Sequence, residues 1–268
     1  MRRKAGWRHA VESLGVVTAL SCSNNFEQPS EIRGVRVLAV QANPAQWDLL
    51  SADGGAPSPV TLTALAVDAD GGTPAVTFAL CVPHVPPSSG DPCFGAQEVP
   101  LDGGVLPARD PRLTGDFSAP LRYRATDNTG GPRGSETGFF NLPAPTVPLF
   151  NHNPVITDVQ MADAGTSVGT VAWPLDTAVG LRPVLAEGSI ESYEGSQGPQ
   201  REQITYAWFA TGDGKIENYR SGEPIPGNPL NPTTTYRTPK TAQTVTLYVV
   251  ARDGRGGTGW MRKVVQIR

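Results

Sequence analysis

The chain has 268 residues, enough for one or two domains with real cores. Its 30 Gly and 26 Pro, set against only 18% charged residues, exclude a charged disordered tail and a helical bundle, and with many Val- and Thr-rich stretches they predict an all-β extracytoplasmic protein. A net charge of −3 lacks the basic footprint of a nucleic-acid binder, and no apolar run is long enough to span a bilayer.

The chain opens with a positive segment, Met1-Arg2-Arg3-Lys4 and Arg8. A short apolar run, Leu14 to Leu20, follows, and Ala19-Leu20-Ser21-Cys22 ends it with small residues and a cysteine. This layout predicts an export signal over residues 1–21. It resembles the lipobox of bacterial lipoproteins, in which the cysteine is lipidated and becomes the first mature residue. The resemblance implies a lipid on Cys22, attachment to a membrane through it and, with Ser23 next in line, an outer-membrane location in the cell envelope. The family places Leu three residues before the cysteine and a small residue two before, where this chain has Ala19 and Leu20. Two alternatives stand beside it: cleavage after Ser21 without lipid, giving a periplasmic or secreted protein, and a start with no signal at all. There are three cysteines, an odd number. With Cys22 lipidated, Cys81 and Cys93 remain as a pair that encloses a Pro-rich stretch, which predicts a disulfide; two separate thiols are the alternative.

Residues 22–34 are polar and turn-rich and read as a tether. Residues 35–143 read as a first domain. "VRVLAVQANP" is strand-like, and in "PVTLTALAVDADGG" Val60, Leu62, Ala64 and Ala66 share one face. "AVTFALCV" is a third strand. From Pro83 to Pro120 the chain is rich in Pro, Gly and Asp with little regular pattern, and reads as an insertion. In "LRYRATDNTGG", Leu121, Tyr123 and Ala125 alternate with Arg122, Arg124 and Thr126, a half-buried strand. "TGFFNLP" closes the unit. Residues 144–153, with two prolines and two asparagines, read as a linker. Residues 154–268 then repeat the programme: "PVITDVQMADAG", "TVAWPLDT" and "LRPVLAEGSI" as strands, then "ITYAWFATGDG" with Ile204, Tyr206, Trp208 and Ala210 on one face. A strand, a turn and a final strand follow in "TVTLYVVARDGRGGTGWMRKVVQIR".

The ends of the two halves align as a weak internal repeat, with Asp127 opposite Asp253 and Gly130-Gly131 opposite Gly256-Gly257. "YAWFATGDG" and "VTLYVVARDGRGGT" resemble PKD-type immunoglobulin-like domains, although Phe209-Ala210-Thr211 stands where that family has Asp-Phe. The resemblance covers mainly Glu202 to Arg268. It implies two tandem immunoglobulin-like β-sandwich domains behind the export signal, and it carries no catalytic residue across.

Several motifs invite a chemical reading. Gly254 to Gly259 fits G-x-G-x-x-G, but a dinucleotide site needs a helix after the glycines and an acidic residue about twenty positions on. Only strand-like residues follow here, so the glycines predict a hairpin loop and no cofactor. Gly165 to Gly169 fits G-x-S-x-G, yet His9, His84 and His152 all precede it, against the order that a nucleophile elbow requires. Asp68 and Asp70 place two carboxylates in one turn and are weak calcium candidates; a plain Asp/Gly turn is the alternative. Trp208 is expected in the core. Trp47, Trp173 and Trp260 sit near turns or strand ends, where exposed rings would stack on sugars or a protein partner, and partial burial under a loop is the alternative. The expectation is a non-enzymatic envelope lipoprotein, a binding or spacer module with a protein or polysaccharide partner. A secreted carbohydrate-binding protein using those aromatics is the alternative.

Overall fold

The computed structural model describes residues 29–46, 58–82, 91, 93–108, 110, 118–127, 134–143, 151–195, 198–225 and 230–268. Cys22, Trp47, His84 and Gly130-Gly131, together with the export signal, lie outside the described residues.

The first half contributes β1 (Arg36–Asn43), β2 (Val60–Val67), β3 (Ala75–Val82), β4 (Gln97–Leu101), β5 (Val105–Leu106), β6 (Ser118–Thr126) and β7 (Ser135–Pro143). They form two antiparallel sheets, in the order β1-β2-β5 and β4-β3-β6-β7. The face predicted for Val60, Leu62, Ala64 and Ala66 turns inward, and so do Leu121 and Ala125 of β6. Val60, Leu62, Leu80, Leu106, Leu121 and Leu142 fill the space between the sheets. The stretch from Pro83 to Pro120 is more than an insertion. It supplies β4 and β5, separated by a single 3-10 turn at Asp102–Gly104. These edge strands of five and two residues are too short to show a periodicity of two. A disulfide joins Cys81 to Cys93, tying β3 to the turn before β4. Closing a loop of this size is worth about 3 kcal/mol.

The second half contributes β8 (Ile156–Met161), β9 (Ala178–Leu185), β10 (Ser192–Gly195), β11 (Gly198–Arg201), β12 (Thr205–Ala210), β13 (Lys215–Ile216), β14 (Arg220–Gly222), β15 (Thr234–Arg237), β16 (Gln243–Arg252) and β17 (Thr258–Ile267). Two four-stranded antiparallel sheets result, β13-β15-β9-β8 and β14-β12-β16-β17, with β10 and β11 as a separate hairpin. Tyr206, Trp208, Tyr236, Leu181 and Ile204 are fully buried between the sheets. "TVAWPLDT" is not a strand. Pro174 lacks the N–H a ladder needs, and Trp173 instead makes a single bridge to Ile267 while its ring fills the core.

The two halves are therefore tandem β-sandwiches of immunoglobulin-like type, built on one plan. In each, a central strand (β3, β12) pairs with a later one (β6, β16), which forms a hairpin with the last strand (β7, β17). The internal repeat is visible at those hairpins. The Asp127 N–H donates to the Gly134 carbonyl at 2.6 Å, and the Asp253 N–H donates to the Gly257 carbonyl at 3.3 Å. Each aspartate is the first residue after its strand, as the alignment places it.

A third apolar cluster belongs to neither sandwich alone. Ile32, Leu38, Ala39 and Val67 of the first half pack against Ala207, Phe209, Tyr248 and Val250, which cover the outer face of β12 and β16. That sheet is consequently buried on both faces, which explains why TYAWFA and VTLYVVA read as nearly continuous apolar runs.

Candidate functional site: the joint between the sandwiches

The loop that resembled a phosphate cradle sits where the halves meet. Asp253 opens it and is buried. Its Oδ1 accepts the backbone N–H groups of Arg255 at 2.7 Å and Gly257 at 2.9 Å, and its Oδ2 accepts the Asn151 side-chain amide at 2.8 Å. Burial raises the Asp253 pKa, and these three hydrogen bonds oppose the shift without cancelling it.

Asn151, His152 and Asn153 were expected to belong to a linker, yet two of them are clamped. Asn153 donates its amide to the Ala42 carbonyl at 2.7 Å and accepts the Thr258 N–H at 2.8 Å, so one side chain stitches β1 to β17. Gln41 donates to the Thr258 carbonyl, and Arg252 donates to the Leu38 carbonyl at 3.0 Å. Two glycines permit this approach. A Cβ at Gly259 would collide with the Pro154 carbonyl oxygen. Gly256 has φ of 110°, and a Cβ there would press on Pro143 and the Ala45 carbonyl.

Beside the loop, Arg255 binds Glu202 at 2.8 Å and Glu191 at 3.5 Å and lies 4.3 Å from the centre of the Tyr193 ring. Glu202 also accepts the Glu191 N–H at 2.9 Å, and His152 Nδ1 lies 2.5 Å from Glu191. Burial is the largest influence on Glu202 and raises its pKa; the charges of Asp253 and Glu191 act in the same direction. This network ties the β10–β11 hairpin to the joint. Its groups are committed to one another, which is the arrangement of a structural clamp.

The other sequence candidates lie apart. Ser167 of the G-x-S-x-G stretch donates to Asp158 at 2.7 Å, and Lys263 contacts both, at 3.2 Å and 2.7 Å. No sequence rule joined Lys263 to Ser167, because 96 positions separate them. Burial, the largest single influence, raises the Asp158 pKa, but Lys263, Ser167 and the Val159 N–H together lower it below the ordinary carboxylate value. A carboxylate held below its ordinary pKa is a poor base for activating a hydroxyl. Asp68 Oδ1 accepts the N–H groups of Asp70 at 3.0 Å and Gly72 at 2.6 Å, a local turn. Among the described residues no three His, Cys, Asp or Glu side chains gather as a metal site. Trp208 is core, with its indole N–H bonded to Ser221. Trp173 is 2% exposed, so its ring offers no face to a sugar, whereas Trp260 is half-buried against the shared cluster.

No protein-family model matches the chain, and no curated protein matches it significantly. Similar solved structures include the D00-D0 domain of intimin, at 11% identity and a TM-score of 0.29, covering 86% of this chain and all of that one. The fibronectin(III)-like modules of CbhA from Clostridium thermocellum match at 8% identity and a TM-score of 0.24, covering 87% of this chain and 92% of that one. Extracellular cadherin domains 3–6 of protocadherin gamma B2 match at 12% identity and a TM-score of 0.23, covering 85% of this chain and 47% of that one. The fold assignment rests on strand order, not on these scores.

Proposed function

We propose that this chain is a non-enzymatic module of the cell envelope: two β-sandwiches held at a fixed angle, attached through a lipid on Cys22, that space or present a binding surface. One observation carries the reading. The halves share an apolar cluster and a buried polar clamp at Asp253, Asn151 and Asn153, so the pair behaves as a single stiff body. Tandem domains joined only by a flexible linker would leave these contacts unmade. The polar groups that the sequence offers for chemistry are spent on holding loops and strands together, which favours a structural role over a catalytic one. The Cys81–Cys93 bridge supports an oxidising compartment, and it leaves Cys22 as the third cysteine of the chain.

The test is metabolic labelling with a radioactive fatty acid in a bacterial host, followed by fractionation. Wild type should carry label and sediment with the outer membrane. Cys22→Ala should be unlabelled and soluble, with an unchanged unfolding transition. A soluble, unlabelled wild type would reject the anchor.

A further inference from the structure

A groove of about 580 Å³ opens on the outer face of the β14-β12-β16 sheet, beside the shared cluster, and three guanidinium groups converge on it: Arg36, Arg220 and Arg252. They come from both halves, since Arg36 begins β1 and the others belong to β14 and β16. None of the lining residues is acidic. Among the described residues no carboxylate pairs with any of the three, whereas Arg33, Arg122, Arg124, Arg237 and Arg255 all have acidic partners. The nearby Glu31 carboxylate is held by Arg33 at 2.9 Å.

The three groups are partly positioned before any ligand arrives. Arg36 lies 5.4 Å from the Phe209 ring centre and donates to the Glu31 carbonyl at 2.9 Å. Arg220 lies 5.3 Å from the ring centre of Tyr219, and Arg252 donates to the Leu38 carbonyl at 3.0 Å. Each still has several N–H donors unspent. Desolvation, and after it the charge of Arg220, lowers the Arg252 pKa, as expected for two cations facing one space. Bringing like charges together is unfavourable unless an anion joins them.

We propose that this groove binds the carboxylate of an acidic saccharide, a uronate-type unit, with Arg36, Arg220 and Arg252 as the clamp. Guanidinium forks match a carboxylate in bidentate geometry. The volume suits a small-ligand site. The polar balance selects the ligand class. The lining is dominated by donors, three guanidinium groups against few acceptors: the Thr205 and Ser221 hydroxyls have their protons committed to the carbonyls of Arg252 and Pro232, and the Ser221 oxygen already accepts the Trp208 indole N–H. A saccharide brings ring, hydroxyl and carboxylate oxygens to those donors, while Leu230, Ala207 and Pro29 offer apolar surface to its ring. A peptide would bring a backbone N–H donor for every carbonyl to a lining in which donors already outnumber acceptors. It would also find little edge to extend, since β14 has three residues and the Gly222 N–H is already bonded to the Asn231 carbonyl at 3.2 Å.

The proposal rests on the reading of the chain as a binding module, but its test runs on the purified full chain in solution, so a negative result leaves the labelling of Cys22 untouched. Calorimetric titration with oligogalacturonate is compared with the same oligomer after methyl esterification and with a poly-glutamate peptide. We expect binding to the free acid only, weakened about tenfold or more by Arg220→Gln or Arg252→Gln and also weakened by Arg220→Lys, which keeps the charge but loses the fork. Equal binding of the ester, equal or tighter binding of the peptide, no binding of the free acid, or full affinity in folded Arg220→Gln and Arg252→Gln variants would overturn it. Because the ester and peptide arms use the wild-type chain, the test does not depend on a variant that folds.

Discussion

Asp253 carries the residue-scale argument. Its folded-state pKa is raised by burial, and so is that of Glu202. A carboxylate with a raised folded pKa binds protons more readily folded than unfolded, so stability falls as pH rises from the ordinary carboxylate pKa through the raised one. Asp253→Asn removes this dependence at one site. The new amide can still accept the Arg255 and Gly257 N–H groups, and its nitrogen, in place of the oxygen that accepts from Asn151 Nδ2, can donate to Asn151 Oδ1 once that amide turns over. Urea denaturation across the acid-to-neutral range should show a flatter profile for Asp253→Asn, with less than about 1 kcal/mol lost near neutrality. Asp253→Ala should lose about 2–4 kcal/mol, because two N–H groups and the Asn151 amide lose their acceptor. An Asp253→Asn profile as steep as wild type would show that Asp253 is not a source of the slope.

The β16–β17 hairpin shows what was legible in the sequence at the scale of elements. Long strands with an alternating stretch, such as Leu121 to Thr126 of β6, or with long apolar runs, such as β16, stand out because many residues repeat one pattern. The short strands β4, β5, β13 and β14 do not, since two to five residues carry no period. Gly254 to Gly259 was legible as a hairpin loop, and its Asp127 counterpart as a repeat. Its part in the joint was not, because the partners are remote: Asn151 is 102 residues from Asp253, and Gln41 is 217 from Thr258. The groove arginines, at positions 36, 220 and 252, are scattered for the same reason. Gly259→Ala tests the element directly. Its methyl group would force the Pro154 carbonyl away and should destabilise the chain by about 1–3 kcal/mol. Hydrogen exchange should quicken at Thr258, whose N–H is held by Asn153. Unchanged exchange there would mean that the close approach is not needed.

At the scale of the molecule, the two sandwiches matter less than the surface between them. The Phe209, Tyr248 and Val250 side chains turn outward from the second core and are covered only because Ile32, Leu38 and Val67 meet them. Burying such a side chain is worth about 1.5–3 kcal/mol, so a chain opened at the joint exposes an apolar patch that water disfavours. The groove depends on the same docking, since it takes Arg36 from one half and Arg220 and Arg252 from the other. Stiffness and binding are thus two consequences of one interface. The most direct test is a distance measurement by pulsed electron resonance between spin labels at the exposed positions Thr63 and Gln266, in a chain with Cys22→Ser. The account predicts one narrow distance distribution in this background, broadened when Val250→Asp places a charge in the shared cluster. A broad distribution without Val250→Asp, left unchanged by it, would contradict the fixed joint.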